Sequence, residues 1–571
     1  MKPFTFKIGG EAGFGIMSSG SSFSKLAIRS GYYIFDYAEY PSIIRGGHNV
    51  MQVTVGDEPV SAQYQNTNLL VALNQETLDL HFKELTVGSG LIYDAEKCVL
   101  PKISKGINVF AIPMNRMGKE IGNSFLLRNT VALGAAVALL GGEIQILKDL
   151  LTEEFSKRHP ELVENNHRVA QAGYDYVLEH YADKIKNTLK RKTNVAAQAV
   201  VTANDALALG AIAAGLQFAA IYPMTPISNI LHILAPLQEK YGFIYKQPED
   251  EISAINMAIG ASFAGARAMV ATAGGGFCLM AEGYGLAGMT ETPLVIVEGM
   301  RGGPATGLPT WTEQGDLRFV LHAHQGEFPR IVLAAGDVNE AFNLIMQAFN
   351  LADKYQTPVV VMVDKNLCES HQSVPPFDYA NYEIDRGKFT VKKQLDYARY
   401  ALSTDGVSLR SVPGVGNEVI ANSDEHNAMG YSSEEAKNRV KQMEKRMQKL
   451  RTCAQKDMPE PKIIGPKNAD LTILSWGSNK GAILESMKSF ANVNFLHLTW
   501  MNPFPVKAVK NILEKARRVL NIECGYSAQL AGLIKQHTGY EISNHLLKYD
   551  GRPFYPEEIT AKIKKVLTAK K

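Results

Sequence analysis

The chain has 571 residues, 46% of them apolar and 20% charged, with a formal net charge of +3. That balance suits three or four globular domains of about 150 residues each and excludes the basic stripe of a nucleic-acid binder. The five cysteines are far apart and form no Cys-x-x-Cys pair, so no zinc or iron–sulfur site is readable, and lone thiols suit a reducing, cytoplasmic compartment.

The opening Met1-Lys2-Pro3-Phe4 leads into a predicted strand, Phe4 to Ile8, rather than a signal peptide. Gly9-Gly10-Glu11-Ala12-Gly13-Phe14-Gly15 then turns the chain into a predicted helix from Ile16 to Arg29, followed by a strand from Tyr32 to Tyr37. A glycine turn between strand and helix presents backbone N–H groups to a phosphate, which makes Gly13 and Gly15 candidates. The glycine spacing fits no dinucleotide fingerprint, and Glu11 brings a negative charge to the turn. Further strands are expected at Val50 to Val55, Asn68 to Leu73 and Val109 to Ile112, and helices at Leu127 to Leu140 and Glu161 to His180. The polar run Asp183 to Gln198, with five Lys and Arg residues between Lys184 and Lys192, reads as a solvated boundary between domains.

The stretch from Ala206 to Tyr222 is the most apolar, but Gly210, Gly215 and Gln217 break it. It is too short to span a bilayer and reads as a buried helix and a strand, with Asn204 as N-cap candidate. The strand ends in Ile221-Tyr222-Pro223-Met224-Thr225-Pro226, whose prolines stop it. Thr225 therefore falls at the carboxyl end of a strand, where parallel α/β sheets bind ligands. Glu251 to Ala261 reads as a helix with Ala254, Met257, Ala258 and Ala261 on its packed face, and Glu251 in its first turn, where the helix dipole favours a carboxylate. A strand from Ala268 to Thr272, a Gly274-Gly275-Gly276 turn, a helix and a β-branched strand from Pro293 to Glu298 follow. Arg301-Gly302-Gly303-Pro304-Ala305-Thr306-Gly307-Leu308-Pro309-Thr310 then forms a loop, and Gln314-Gly315-Asp316-Leu317 starts a helix nearby. Strands are expected again at Arg330 to Leu333 and Pro358 to Val363. Residues 369 to about 465 are irregular until a charged helix from Ser432 to Arg451, on which Val440, Met443, Met447 and Leu450 make an apolar stripe read as packing. From residue 466 to 571 strands and helices alternate once more.

Three of these motifs carry a resemblance. Glu251-Ile252-Ser253-Ala254 followed by Met257-Ala258-Ile259-Gly260-Ala261 resembles the pyrimidine-binding domain of thiamine diphosphate enzymes. The Tyr-Pro-x-Thr-Pro turn and the Arg301 loop resemble the α subunit of 2-oxoacid:ferredoxin oxidoreductases. The first region, including Tyr40-Pro41-Ser42-Ile43-Ile44-Arg45-Gly46-Gly47-His48-Asn49, is similar to the γ part of the same enzymes, although Glu11-Ala12 stands where the family more often has Gly-Gln. The resemblance implies three α/β domains in one chain: a γ-type domain (1–182), a pyrimidine-binding domain (199–368) and a transketolase C-terminal-like domain (466–571), with 369–465 an ordered excursion.

It also implies roles. Glu251 would contact the ring nitrogen of the cofactor's aminopyrimidine, stabilising the imino tautomer that activates the thiazolium carbon. Pro223 would lie beside the cofactor, Tyr222, Thr225 and Arg301 would bind the oxoacid, and Gly13 and Gly15 would contact coenzyme A. The reaction implied is oxidative decarboxylation of a 2-oxoacid with coenzyme A, giving acyl-CoA, CO₂ and reduced ferredoxin. Fused γ and α parts look most like 2-oxoglutarate-type enzymes, with pyruvate, a branched-chain oxoacid or a non-redox transketolase-like transfer as alternatives. Plainer roles stand beside these: a capping carboxylate for Glu251, a turn hydroxyl for Thr225, a surface pair with Glu298 for Arg301, a structural hydrogen bond for His48.

What the chain lacks matters too. A thiamine diphosphate is held through a divalent metal bound by oxygen ligands, usually on a Gly-Asp-Gly motif; Gly56-Asp57-Glu58, Gly315-Asp316-Leu317 and Gly336-Asp337-Val338 do not fit it. No metal site is assigned to this chain. A β-type partner subunit is expected to bring Mg²⁺, the diphosphate end and a [4Fe–4S] cluster, and neither nucleic acid nor membrane is an expected partner.

Overall fold

The structure is a computed structural model and describes residues 3–43, 46–102, 105–193 and 195–569. Ile44 and Arg45 of the Tyr40–Asn49 segment lie outside the described residues. The architecture is α/β throughout, with three sheets distributed over two compact units.

The first unit comprises Met1–Val201 with Ser370–Pro376 and Tyr555–Glu558. Its eight-stranded sheet runs Asn108–Ala111, Leu85–Tyr93, Thr67–Ala72, Phe4–Glu11, His48–Gly56, Tyr33–Glu39, Gln372–Val374, Ala199–Val201. Phe4–Glu11 is parallel to Thr67–Ala72 and antiparallel to His48–Gly56, so the direction of the sheet changes at this strand. Alternate side chains such as Phe6 and Ile8 are fully buried, and the Phe6 ring stacks on Phe23 of helix Ile16–Arg29 at 3.8 Å. Helix Arg128–Leu139 is buried on nearly every side. It crosses Val163–His180 so closely that a methyl on Gly134 would overlap the Ala170 carbonyl, and one on Gly173 the Val131 carbonyl; glycine permits that approach. The basic run after Asp183 is mostly exposed yet ordered. It forms short 3₁₀ turns, buries Leu189 completely and donates from Leu189 N to Leu140 O and from Lys192 N to Ser30 O.

The second unit comprises Thr202–Glu369, Phe377–Phe554 and Ile559–Lys571. Its seven-stranded sheet runs Trp500–Asn502, Ile331–Ala334, Pro358–Asp364, Leu294–Met300, Ala268–Ala273, Phe218–Ala220, Ile244–Lys246, and all neighbours are parallel except Trp500–Asn502. The three central strands are buried at every residue, which explains their unbroken apolar and β-branched runs. A five-stranded sheet follows, ordered Ile463–Ile464, Val493–Leu498, Leu471–Trp476, Val519–Glu523, His545–Leu547. One apolar cluster, including Val332, Val360, Trp476 and Leu498, runs across both sheets.

The excursion is held to this unit by buried charge. Asp353 accepts from Arg267 at 2.8 Å, Arg386 at 2.9 Å and Arg410 at 3.2 Å, the last two belonging to the excursion. The long helix Ala436–Lys456 corrects the expected stripe: Val440 is 55% exposed, while Gln442, Lys445, Arg446, Lys449, Thr452 and Cys453 face inward. Lys445 and Lys449 reach the fully buried Glu291 at 2.7 and 2.6 Å, and Arg446 grips Glu425 with two bonds of 2.9 and 2.6 Å. Ion pairing overrides hydropathy here because each buried cation has a carboxylate within reach.

Candidate active site

Three chain segments that follow strands Phe218–Ala220, Ile244–Lys246 and Leu294–Met300 of the second unit carry the candidate residues. Helix Glu251–Phe263 starts the site. Asp250 caps it, its side chain accepting from Ser253 N at 2.7 Å, which frees Glu251 from a capping role. Glu251 is 2% exposed, and its Oε1 is buried without a hydrogen-bond partner. Burial pushes its carboxyl above the ordinary range; its own backbone N–H opposes that rise, the neighbouring Asp250 adds to it, and the Thr272 hydroxyl opposes it. An orphaned polar atom in such a position is costly unless a ligand completes it.

The orphaned oxygen borders Gly276, where a methyl would overlap both Thr272 Oγ1 and Glu251 Oε1. The three glycines expected as a turn are instead the first residues of helix Gly274–Met289. Two of them are glycine for lack of room, since a Cβ on Gly274 would stand 2.5 Å from Asp316 Oδ2.

The other two turns belong together as expected. Arg301 follows strand Leu294–Met300, and its Nη1 donates to the Thr225 carbonyl at 2.9 Å. Burial lowers the Arg301 pKa, while Asp316 works in the opposite direction. The loop after Arg301 closes on itself through Leu308 N to Gly302 O at 2.7 Å, with Gly307 at φ +51° against the Gly302 carbonyl. The Thr225–Pro226 peptide is cis, and the Pro226 carbonyl accepts from Asn204 at 2.8 Å. Asn204 is thus a brace under this turn, while Thr202 and Asp205 form the capping box of helix Ala203–Ala213. Tyr222 is half-buried and Pro223 exposed on the same turn. Arg301 does not pair with Glu298 on the surface: Glu298 is fully buried, and neither of its carboxyl oxygens has a hydrogen-bond partner.

Outside this constellation, Gly13 and Gly15, at φ +88° and +77°, line a cavity of about 550 Å³ in the first unit together with Ser18, Ser22, Asn129 and Asn166. Arg128 lies against the Phe14 and Phe125 rings, and the charge of Glu11 acts on it; this partner for Glu11 is distant in sequence. His48 joins a chain of contacts, Nε2 to His81 Nε2 at 2.8 Å and His81 Nδ1 to Glu84 Oε1 at 2.7 Å. Burial, reinforced by His81, lowers the His48 pKa to about 4.

Sequence reading missed Thr272, Gly276, Glu298 and Asp316. The signal available was position: Thr272 shortly precedes the triple glycine, and Glu298 lies inside an apolar strand where a charged residue has no bland role.

The family described as "pyruvate flavodoxin/ferredoxin oxidoreductase, thiamine diP-bdg" matches residues 209–448, and "pyruvate ferredoxin/flavodoxin oxidoreductase" matches residues 5–176. A 2-oxoacid:ferredoxin oxidoreductase subunit alpha from Sulfolobus sp is 34% identical, over 98% of this chain and 96% of its own length. The chain belongs to the 2-oxoacid:ferredoxin oxidoreductase family. It is part of an oxidoreductase and carries a thiamine diphosphate-binding domain. A 2-oxoglutarate oxidoreductase subunit KorA from Mycobacterium tuberculosis is 26% identical over 99% of this chain and 91% of its own. The solved 2-oxoglutarate:ferredoxin oxidoreductase from Magnetococcus marinus, with 2-oxoglutarate, coenzyme A and succinyl-CoA bound, overlays at a TM-score of 0.94 and 30% identity, covering 100% of both chains. Among the described residues no helix is long and apolar enough to cross a membrane.

Proposed function

We propose that this chain supplies the pyrimidine half of a thiamine diphosphate site in an enzyme that oxidatively decarboxylates a 2-oxoacid, best 2-oxoglutarate, to its acyl-CoA with ferredoxin as electron acceptor. The observation that carries the reading is the buried, unpartnered Oε1 of Glu251 beside the space left by Gly276. The donor set fits the group: a carboxyl whose pKa burial raises can share a proton with a ring nitrogen, beside the Thr272 hydroxyl. Bound thiamine diphosphate supplies carbanion stabilisation next to the oxoacid's keto carbon.

This chain's own residues orient and neutralise. Arg301, pinned to the Thr225 carbonyl, keeps further N–H donors for the oxoacid carboxylate, with Thr225 and Tyr222 on the adjoining turn and Pro223 towards the cofactor. The cavity at Gly13 and Gly15 is the candidate coenzyme A site. The domain roles follow: 1–182 the γ-type part, 199–368 pyrimidine-binding, 466–571 transketolase C-terminal-like, with 369–465 stiffening the second. We place the enzyme in the cytoplasm.

A β-type partner completes the site with Mg²⁺, the diphosphate end and a [4Fe–4S] cluster. Supporting this, the helix that bears Glu251 leaves Ile252 and Met257 49% and 46% exposed, beside Leu279 at 49%. Such an apolar patch next to an incomplete polar site suits a covering subunit.

The test uses the complex purified with its partner and assayed for oxoacid-dependent dye reduction. Glu251→Gln should remove most turnover, on the order of 10²-fold or more, with assembly intact. Arg301→Met should raise KM for the oxoacid by roughly tenfold or more while kcat changes less. Unchanged turnover in the first variant refutes the cofactor role, and unchanged KM in the second removes Arg301 from oxoacid binding. A partner without cluster cysteines would favour a transketolase-like transfer, and comparing 2-oxoglutarate with pyruvate and branched-chain oxoacids decides the substrate.

A further inference from the structure

Beneath the turn that carries Tyr222, Thr225 and Pro226 lies an amide that neither capping nor packing explains. Asn204 is the second residue of helix Ala203–Ala213, whose end is already capped by Thr202 and Asp205. It is 0% exposed, and a buried helical position favours alanine or leucine over asparagine. Its Nδ2 donates to the Pro226 carbonyl at 2.8 Å, while its Oδ1 has no hydrogen-bond partner. Only the NH₂ end of an amide can face a carbonyl. The polar part of this side chain therefore serves one bond, and that bond goes to the turn.

We propose that Asn204, together with Gly299, aims Arg301 and so sets how tightly the site takes the carboxylate of the oxoacid. The proposal rests on the assignment of Arg301 to oxoacid binding.

The link runs through two consecutive carbonyls. Thr225 O accepts from Arg301 Nη1 at 2.9 Å, and Pro226 O accepts from Asn204. Ile227 N closes the turn onto Met224 O at 2.9 Å, so the turn moves as one piece. Gly299 is a further support, on strand Leu294–Met300 two residues before Arg301. A methyl there would stand 2.5 Å from Ile227 Cγ2 and 3.1 Å from Pro226 Cγ. Glycine lets the turn lie directly on the strand that delivers the guanidinium. Pro226 and Ile227 are buried, so water does not replace the Asn204 bond when it is lost. The Pro226 carbonyl then stays without a donor unless the turn rotates to find one. Rotation carries the Thr225 carbonyl along and shifts the guanidinium bonded to it.

The base of this brace is rigid. Helix Ala203–Ala213 buries Ala203, Ala206, Leu207, Ala208 and Ala211. At Gly210 it lies so close to helix Val338–Tyr355 that a methyl would come within 2.8 Å of the Phe342 carbonyl oxygen and 2.5 Å of Ile345 Cγ2. A donor on a packed helix holds the turn in one place, and a guanidinium tied at one nitrogen presents its remaining donors in a fixed plane. Asn204 and Gly299 are positioning residues that act through Arg301.

The experiment measures KM and kcat for 2-oxoglutarate by dye reduction in the complex purified with its partner. Asn204→Leu keeps the side-chain volume and removes the donor. Its KM should rise roughly five- to tenfold, the worth of one misaligned hydrogen bond to a charged group, while kcat stays within about twofold. Gly299→Ala disturbs the same turn from the strand, should raise KM likewise, and carries the test if Asn204→Leu does not assemble. A double-mutant cycle separates aiming from general damage. In an Arg301→Met background there is no guanidinium to aim, and adding Asn204→Leu should change KM by less than about twofold. Titration of Asn204→Leu with thiamine diphosphate, whose ring nitrogen is assigned to Glu251, should give the wild-type affinity.

An unchanged KM in an assembled Asn204→Leu complex, or in Gly299→Ala where the first does not assemble, overturns the proposal. So does an Asn204→Leu effect of the same size with and without Arg301, or an equal loss of thiamine diphosphate affinity. The reading beneath it fails on a separate result. If Arg301→Met by itself leaves KM unchanged, the oxoacid does not bind there and Asn204 has nothing to aim.

Discussion

Gly276→Ala is the sharpest probe of the site, because its effect on stability and its effect on function differ in size. A methyl at this position would stand 2.7 Å from Glu251 Cδ and overlap the Thr272 hydroxyl. Ordinary carbon–carbon contact is about 3.7 Å, so the Glu251 carboxyl must retreat by roughly 1 Å. Overpacking of this kind costs about 1–3 kcal/mol, offset by about 1 kcal/mol because alanine is the better helix former. The folded chain should therefore lose only about 0–2 kcal/mol. A 1 Å displacement of a cofactor-orienting carboxyl should lower turnover on the order of 100-fold. The assay pairs thermal unfolding of the chain with oxoacid-dependent dye reduction and thiamine diphosphate titration of the complex. Gly275→Ala in the isolated chain is the stability control, since nothing lies within 4 Å of a methyl there, and it should be neutral or stabilising. A Gly276→Ala complex with turnover within about twofold of wild type would refute the argument, since a carboxyl that can move about 1 Å without effect is not orienting the cofactor.

Asp353→Asn should destabilise the second unit by about 3–5 kcal/mol, because Arg267 and Arg410 would stay buried without their counter-charge; chemical denaturation measures the loss, which should include early proteolysis within residues 377–462. Acid should weaken the anchorage of the long charged helix. Burial works against ionisation of Glu425, yet Arg446 and Arg439 hold its pKa at about 2, against an ordinary 4.5. A carboxyl with a lowered folded-state pKa contributes stability that is present above pH 4.5 and lost as pH falls towards 2, here on the order of 3 kcal/mol. Glu425→Gln should be less stable at neutral pH and show a shallower loss over that window; an unchanged acid profile would rule out the pair as its cause.

The parts of the fold most legible in the sequence were those ruled by local pattern. The strands around Val295 and Val360 lie in unbroken apolar runs, and the turn at Tyr222–Pro226 follows from its prolines. The candidate site residues Thr225, Glu251 and Arg301 were legible because each sits in a short motif, and the structure brings Thr225 and Arg301 into contact. What stayed hidden was set by long-range pairing. Strand Gln372–Val374 lies between Tyr33–Glu39 and Ala199–Val201, a placement no local signal specifies. Helix Ala436–Lys456 buries lysines because Glu291, some 150 residues earlier, waits for them. Asp316 reads locally as a helix cap, but its side chain makes no cap bond and lies against Gly274.

These hidden partners explain why the site can afford an unsatisfied oxygen at all. An orphaned carboxyl at Glu251 costs roughly 1–3 kcal/mol, and helical glycines at 274 and 276 each cost up to about 1 kcal/mol more. The central strands on which the site stands are buried along their whole length, and the excursion is locked to the same unit by charge pairs. A scaffold that rigid tolerates the local deficit instead of relaxing to remove it. Under the proposed function the deficit would be recovered when a ligand completes Glu251 and a covering subunit buries Ile252, Met257 and Leu279. On this view rigidity beneath the site and incompleteness at its surface are two requirements of one design: a chain that could satisfy Glu251 alone would have no reason to bind either.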